Sequence, residues 1–192
     1  MAAPRRAIFL DRDGTLLDEL GYLARPEDLR LIAGVGPPLV KLREAGFFLC
    51  VVTNQSGIAR GLLDEDDLAA IHERMRTELE REGAYLDAIL HCPHHPKHGT
   101  PPLRRDCHCR KPSPGLILEA ASRFAVDLSQ SWVIGDSARD LESGRRASIE
   151  GRILVLTGKG RETEAGLSPE ERAQVHVVPN LAVAAQVVLT AR

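Results

Sequence analysis

The sequence predicts a doubly wound, mostly parallel α/β domain of Rossmann-like layout. Three observations predict it: six short apolar runs, helical segments between most of them, and polar clusters where the runs end. The runs cover 7–10, 47–52, 86–90, 132–134, 152–156 and 175–178, and are near-continuously apolar, as strands covered on both faces are. The clearest helix starts at Asp64, an N-cap residue type followed by Glu65, Asp66 and Asp67, and carries Leu68, Ile71, Met75 and Leu79 along one face. That stripe reads as core. A second helix is expected from Ser113-Pro114, with Pro at the first helical position and Leu116, Ile117, Ala120, Ala121 and Phe124 turned inward.

Composition supports one domain over residues 1–192, with 43% hydrophobic and 27% charged residues, ordinary for a soluble globular chain. A net charge of -2 and 4% aromatics provide no basic, stacking surface, which argues against nucleic acid as a partner. No apolar run is long enough to span a bilayer, and the start of the chain, 1–6, leads into the first strand without a signal-peptide core. A cytoplasmic protein without a membrane partner is expected. With no extensive exposed apolar helix in view, a monomer is the default.

Four polar clusters follow successive runs, where open α/β sheets bind ligands. The first run ends in Asp11 and Asp13, which on an extended segment point to one side, with Gly14 allowing a sharp turn behind them. The second runs into Thr53-Asn54-Gln55-Ser56-Gly57, small hydroxyl, amide and backbone N–H groups suited to phosphate oxygens. Arg110-Lys111-Pro112 precedes the Ser113 helix start, and Gly135-Asp136-Ser137-Ala138-Arg139-Asp140 closes the fourth run. Each has a bland reading: an acidic turn, a capping turn, a solvated lysine, a capping acid. Their succession in this order favours a phosphate-handling site.

A second constellation joins Cys92, His94, Cys107 and Cys109, three thiols and an imidazole at two short hops, the donor set of a closed, structural Zn²⁺ site. Six of the twelve prolines lie between Pro93 and Pro114, so the loop, about 92–109, needs ordering from outside regular structure. His91, His95, His98 and His108 are competing ligands. Cys50, in the second run, reads as a buried small hydrophobe.

The Asp-x-Asp-Gly-Thr, Thr-Asn-Gln, Arg-Lys-Pro and Gly-Asp-x-x-x-Asp segments, from Asp11 to Asp140, resemble the four motifs of the haloacid dehalogenase superfamily of phosphohydrolases. The resemblance implies Asp11 as a nucleophile forming an aspartyl-phosphate and Asp13 as acid and then base. It also implies Thr53 and Lys111 on the phosphoryl oxygens. Mg²⁺ held by Asp11, the Asp13 carbonyl and Asp136 is chemically reasonable, with Asp140 supporting the site. The Cys-x-His and Cys-x-Cys loop narrows the resemblance to the group of heptose-bisphosphate and histidinol-phosphate phosphatases. It implies Glu19, Gly21, Tyr22, Asn54, Gln55, Ser56 and Arg110 as substrate contacts.

The run 55–61, the long His94 to Cys107 spacing and the lack of an appended domain favour the heptose branch. Its expected reaction is removal of the C7 phosphate of a small phosphorylated sugar, D-glycero-D-manno-heptose 1,7-bisphosphate, ahead of nucleotide activation. Histidinol phosphate is the alternative substrate. One departure is Ser137, where some heptose phosphatases carry Lys. The segments between motifs are used up by helices, a strand and the zinc loop, so a capless enzyme is expected. A metal-nucleotide-binding glycosyltransferase, a receiver-type phosphoacceptor and a zinc-stabilised binding module are the other classes weighed.

Overall fold

The computed structural model describes residues 4–191; the reading of the chain's start rests partly on residues outside this range. Six strands form one sheet: β1 (Ala7–Leu10), β2 (Phe48–Asn54), β3 (Ala88–Cys92), β4 (Trp132–Gly135), β5 (Gly151–Val155) and β6 (His176–Val178). Every neighbouring pair is parallel, in the order β3-β2-β1-β4-β5-β6. All six predicted runs are strands: β1 has the predicted bounds, and the ends of the others move by at most two residues.

Alternation along the strands sends side chains to two cores. Ile8, Leu10, Leu49, Val51, Ile153 and Val155 face one, and Ala7, Phe9, Phe48, Cys50, Val52 and Val133 face the other. The first face is covered by α1 (Gly36–Glu44), α2 (Glu65–Arg81) and α7 (Leu181–Thr190), the second by α3 (Gly115–Phe124) and α4 (Ala138–Arg146). Two short helices, α5 (Gly160–Gly166) and α6 (Pro169–Ala173), lie between β5 and β6 and were not foreseen.

Helix α2 follows its sequence closely. Asp64 caps it in a reciprocal capping box with Asp67, and Leu68, Ile71, Met75 and Leu79 are fully buried. Helix α3 differs in detail: Pro114 is its N-cap and Gly115 its first residue, because the Pro114 carbonyl accepts the first helical bond, from the Leu118 N–H at 3.0 Å, while the Gly115 N–H donates to the His108 carbonyl at 2.9 Å. Leu116, Ile117 and Ala120 are buried as expected, whereas Ala121 and Phe124 are only partly so. Cys50 is buried in the second core, where loss of solvation pushes its thiol up to about 12 and keeps it inert. No helix of the described residues is long and apolar enough to cross a membrane.

Between β1 and its neighbours β2 and β4 the chain reverses its direction of winding, which opens a crevice at the carboxyl ends of these three strands. The loops that line it carry the four polar clusters. Among the described residues no additional sheet or helical unit is inserted between Thr15 and Thr53 or between Ser56 and Arg110: the first interval holds α1 and a short 3-10 turn, the second α2, β3 and the Pro-rich loop.

Candidate active site

The crevice is a cleft of about 350 Å³. From the predicted set it is lined by Asp11, Asp13, Glu19, Gly21, Tyr22, Thr53, Asn54, Ser56, Arg110, Lys111, Asp136 and Asp140. Gln55 is the exception. It turns inward, where its amide N–H groups reach Asp13 Oδ2 at 3.0 Å and Thr53 Oγ1 at 2.8 Å, and its Oε1 accepts from Arg12 at 2.9 Å. With its side chain occupied in this way, Gln55 shapes the site from behind. Thr53 Oγ1, accepting from Gln55, keeps its own hydrogen to donate into the cleft.

Asp11 extends from the end of β1, and its Oδ1 accepts the Arg12 backbone N–H at 2.7 Å and faces Lys111 Nζ at 2.8 Å. This leaves Oδ2 unengaged among the described residues. Asp13 is held by the Arg12 guanidinium at 3.0 Å and by Gln55. Gly14 has φ +79°, and a Cβ there would run into the Asp136 carboxylate, so the close approach of β1's loop to β4's requires glycine. Thr157, in the loop after β5, ties the same turn down by donating to the Gly14 carbonyl at 2.6 Å.

Lys111 is buried against two carboxylates, Asp11 at 2.8 Å and Asp140 at 2.6 Å. Burial disfavours its charge, yet the two anions outweigh this and raise its pKa, so it is a fixed cation. Its backbone is clamped to β2 by both ends of the Asn54 amide, at 3.0 Å each. Asp140 has its other oxygen occupied by the N–H and hydroxyl of Ser137, at 3.0 and 2.6 Å, in a capping box that starts α4. It therefore positions Lys111.

Asp11, Asp136 and Asp140 bring carboxylate oxygens within 4.8 Å of one another. Burial, then the neighbouring Asp140 charge, raises the Asp11 pKa to about 7; burial, with Asp140 and Glu19, raises that of Asp136 to about 6. Crowded carboxylates that resist ionising alone are a fitting oxygen site for a hard divalent cation. Because Asp140 is committed to Ser137 and Lys111, Asp11 and Asp136 hold the free oxygens.

The loop before α3 gathers Cys92, His94, Cys107 and Cys109. The three sulfurs are 3.2 to 3.5 Å apart, and His94 Nδ1 lies 3.4 and 3.6 Å from Cys109 and Cys92. A tetrahedral Zn²⁺ with about 2.3 Å bonds to sulfur implies edges near 3.7 Å, so the donor set fits the ion with a slight expansion. Of the competing histidines none joins the cluster among the described residues: His91 meets Glu65 at 2.9 Å, and His95 Nδ1 accepts from the backbone of Lys97 and His98. Arg110 donates to the His94 carbonyl at 3.0 Å, which couples this centre to the cleft.

Several functional side chains escaped the sequence reading. Arg12, 1% exposed, orients Asp13 and Gln55; Arg60, His95, Arg139 and Lys159 line the cleft. Lys159 pairs with Glu19 at 3.3 Å, and its backbone N–H holds Asp136 Oδ2 at 2.8 Å. The run 55–61 that suggested the heptose branch contains Arg60, a cation that could have been assigned to the cleft.

A parallel sheet of this order, with two aspartates after β1, a lysine-anchored loop and a further acidic turn after β4, defines a HAD-like hydrolase. Residues 108–184 match the HAD-hydrolase-like family. A D-glycero-beta-D-manno-heptose-1,7-bisphosphate 7-phosphatase of Photorhabdus laumondii is 42% identical over 83% of this chain and 85% of its own length. A D-glycero-alpha-D-manno-heptose-1,7-bisphosphate 7-phosphatase from the same organism is 39% identical over 80% of this chain and 84% of its own. The crystal structure of the D,D-heptose 1,7-bisphosphate phosphatase from B. bronchiseptica, complexed with magnesium and phosphate, superposes with a TM-score of 0.82 at 38% identity, covering 97% of this chain and 99% of that one. The chain belongs to the HAD-like phosphatases and, within them, to the family of these heptose-bisphosphate 7-phosphatases.

Proposed function

We propose that this enzyme removes the C7 phosphate of D-glycero-D-manno-heptose 1,7-bisphosphate through an aspartyl-phosphate on Asp11. The observation that carries the reading is the division of cations in the cleft. Lys111 is committed to the reacting end by Asp11 and Asp140, while Arg110 and Arg60 face the cleft with no carboxylate at ion-pair distance among the described residues. A substrate with one phosphate would leave these two guanidiniums without an anion; one with two phosphates engages both ends.

In this reading Asp11 Oδ2 attacks the C7 phosphorus, and Asp13, held by Arg12 and Gln55, gives its proton to the departing sugar oxygen. Water then attacks the acyl-phosphate, with Asp13 accepting its proton, and inorganic phosphate leaves. Thr53 and Lys111 donate to the phosphoryl oxygens whose charge must be stabilised throughout. Mg²⁺, held by Asp11, Asp136 and the Asp13 carbonyl, would supply further charge neutralisation at those oxygens. Zn²⁺ on Cys92, His94, Cys107 and Cys109 would order the loop that carries Arg110 and take no part in the chemistry. The phosphatase names of the relatives support this reading over the receiver-type and zinc-module readings.

Side-by-side kinetics on both anomers of the heptose bisphosphate and on histidinol phosphate test the substrate. The bisphosphate should have the higher kcat/KM; a preference for histidinol phosphate would overturn the assignment and leave the mechanism standing.

A further inference from the structure

Arg139 occupies the first turn of α4, two residues after the Ser137 cap. Aligned backbone N–H groups make that end of a helix favourable for anions and unfavourable for cations. Asp140, next along, obeys the rule; Arg139 breaks it. The side chain is exposed, lines the same cleft as Arg110, and meets no carboxylate at ion-pair distance among the described residues. Two guanidiniums thus stand in one cleft, and one of them also opposes a helix dipole.

Among the described residues no carboxylate compensates this arrangement. A local rule broken at the edge of a binding cleft is expected where the missing partner is a ligand. Nearby alternatives are committed: the Ser137 hydroxyl and N–H are both on Asp140, and Lys159 is paired with Glu19. Arg139, like Arg110 and Arg60, meets no carboxylate at ion-pair distance among the described residues and remains available to an incoming anion, and a planar guanidinium suits two oxygens of a phosphate.

We propose that Arg139 is a specificity-determining residue that closes with Arg110 on the phosphate that is not hydrolysed. The inference rests on the bisphosphate reading. It adds a recognition element from the loop after β4 to those on the zinc loop, so that the retained phosphate is gripped from two sides of the open cleft.

The test compares wild type, Arg139→Ala, Arg139→Lys and Ser137→Lys/Arg139→Ala on the heptose 1,7-bisphosphate and on the same heptose 7-phosphate lacking the C1 phosphate. Wild type should prefer the bisphosphate. Arg139→Ala should reduce that preference about tenfold, through KM more than kcat, the order expected for a charge-assisted hydrogen bond to phosphate. Arg139→Lys should restore part of it. So should the double variant, whose cation stands at another residue lining the cleft. Equal losses on both substrates, or an unchanged ratio, would overturn the role of Arg139 alone. Absence of any bisphosphate preference in wild type would instead overturn the reading beneath it.

Discussion

Replacing Lys111 by Met keeps most of the buried stem and deletes one charge, which isolates what that charge does. In the folded protein the ammonium is 4% exposed and sits 2.8 and 2.6 Å from two carboxylates, which crowd with Asp136 within 4.8 Å. Removing one partner of a buried ion pair costs about 3 to 5 kcal/mol when the remaining charges stay ionised. Here they need not. Asp11 is already raised to about 7 with Lys111 present, so without it this carboxylate takes up a proton still more readily in the folded state than in the unfolded chain. A raised folded pKa means stability is present at low pH and lost as pH rises through that value. Lys111→Met should therefore be most destabilised at the alkaline end, with the difference from wild type shrinking by about 1.4 kcal/mol per pH unit as pH falls towards 7 and levelling off below it, where Asp11 is protonated in both folded proteins.

Turnover should fall further than stability. A preorganised group on a developing oxyanion is worth about 10²–10³ in rate, and protonation of Asp11 removes nucleophile on top of that. We expect kcat down by about 10³ at pH 7.5. The assays are steady-state phosphate release, and denaturant unfolding in magnesium-free buffer from pH 6 to 9. Activity within tenfold of wild type, or a stability difference independent of pH, would refute the reasoning.

Other perturbations probe separate parts of the account. Asp13→Asn should lower kcat by about 10²–10⁴, with substrate binding largely kept, measured by stopped assay and by titration of bound substrate. Cys107→Ser should bring zinc below one per chain by metal analysis and raise KM for the bisphosphate by about tenfold, because Arg110 is anchored to the His94 carbonyl. Burial, with Arg12 beside it, lowers the His72 pKa to about 3, so unfolding takes up a proton there between about pH 3 and 6.5, and stability falls as pH drops through that window. His72→Gln should flatten that slope in unfolding titrations; an unchanged slope would place the proton uptake elsewhere.

What was legible in the sequence is what depends on local pattern. The six strands are short apolar runs, α2 announces itself by Asp64 and its Leu68, Ile71, Met75, Leu79 stripe, and the polar clusters follow strands that share one edge by topology. The cluster of Cys92, His94, Cys107 and Cys109 was readable because thiols at short hops have few other uses beside a Pro-rich loop. What stayed hidden depends on contacts far apart along the chain. Gln55 faces Arg12 across 43 residues, and Thr157 reaches Gly14 across 143. No local spacing tells that Gln55 turns away from the cleft between two neighbours that face it. Arg139 and Lys159 look like ordinary surface cations until the fold brings the β4 and β5 loops beside Arg110 and Glu19. The bond from the Gly115 N–H to the His108 carbonyl, which ties the start of α3 to the Pro-rich loop, is likewise set by the loop's path.

Phosphorus NMR of the heptose 1,7-bisphosphate during turnover, run in parallel with wild type and Asp11→Asn, tests the central claim most directly. Wild type with Mg²⁺ should convert the C7 phosphate signal to inorganic phosphate while the C1 signal persists, and Asp11→Asn should leave both untouched. Loss of the C1 phosphate first, or near wild-type conversion by Asp11→Asn, would contradict a C7-specific phosphatase working through Asp11.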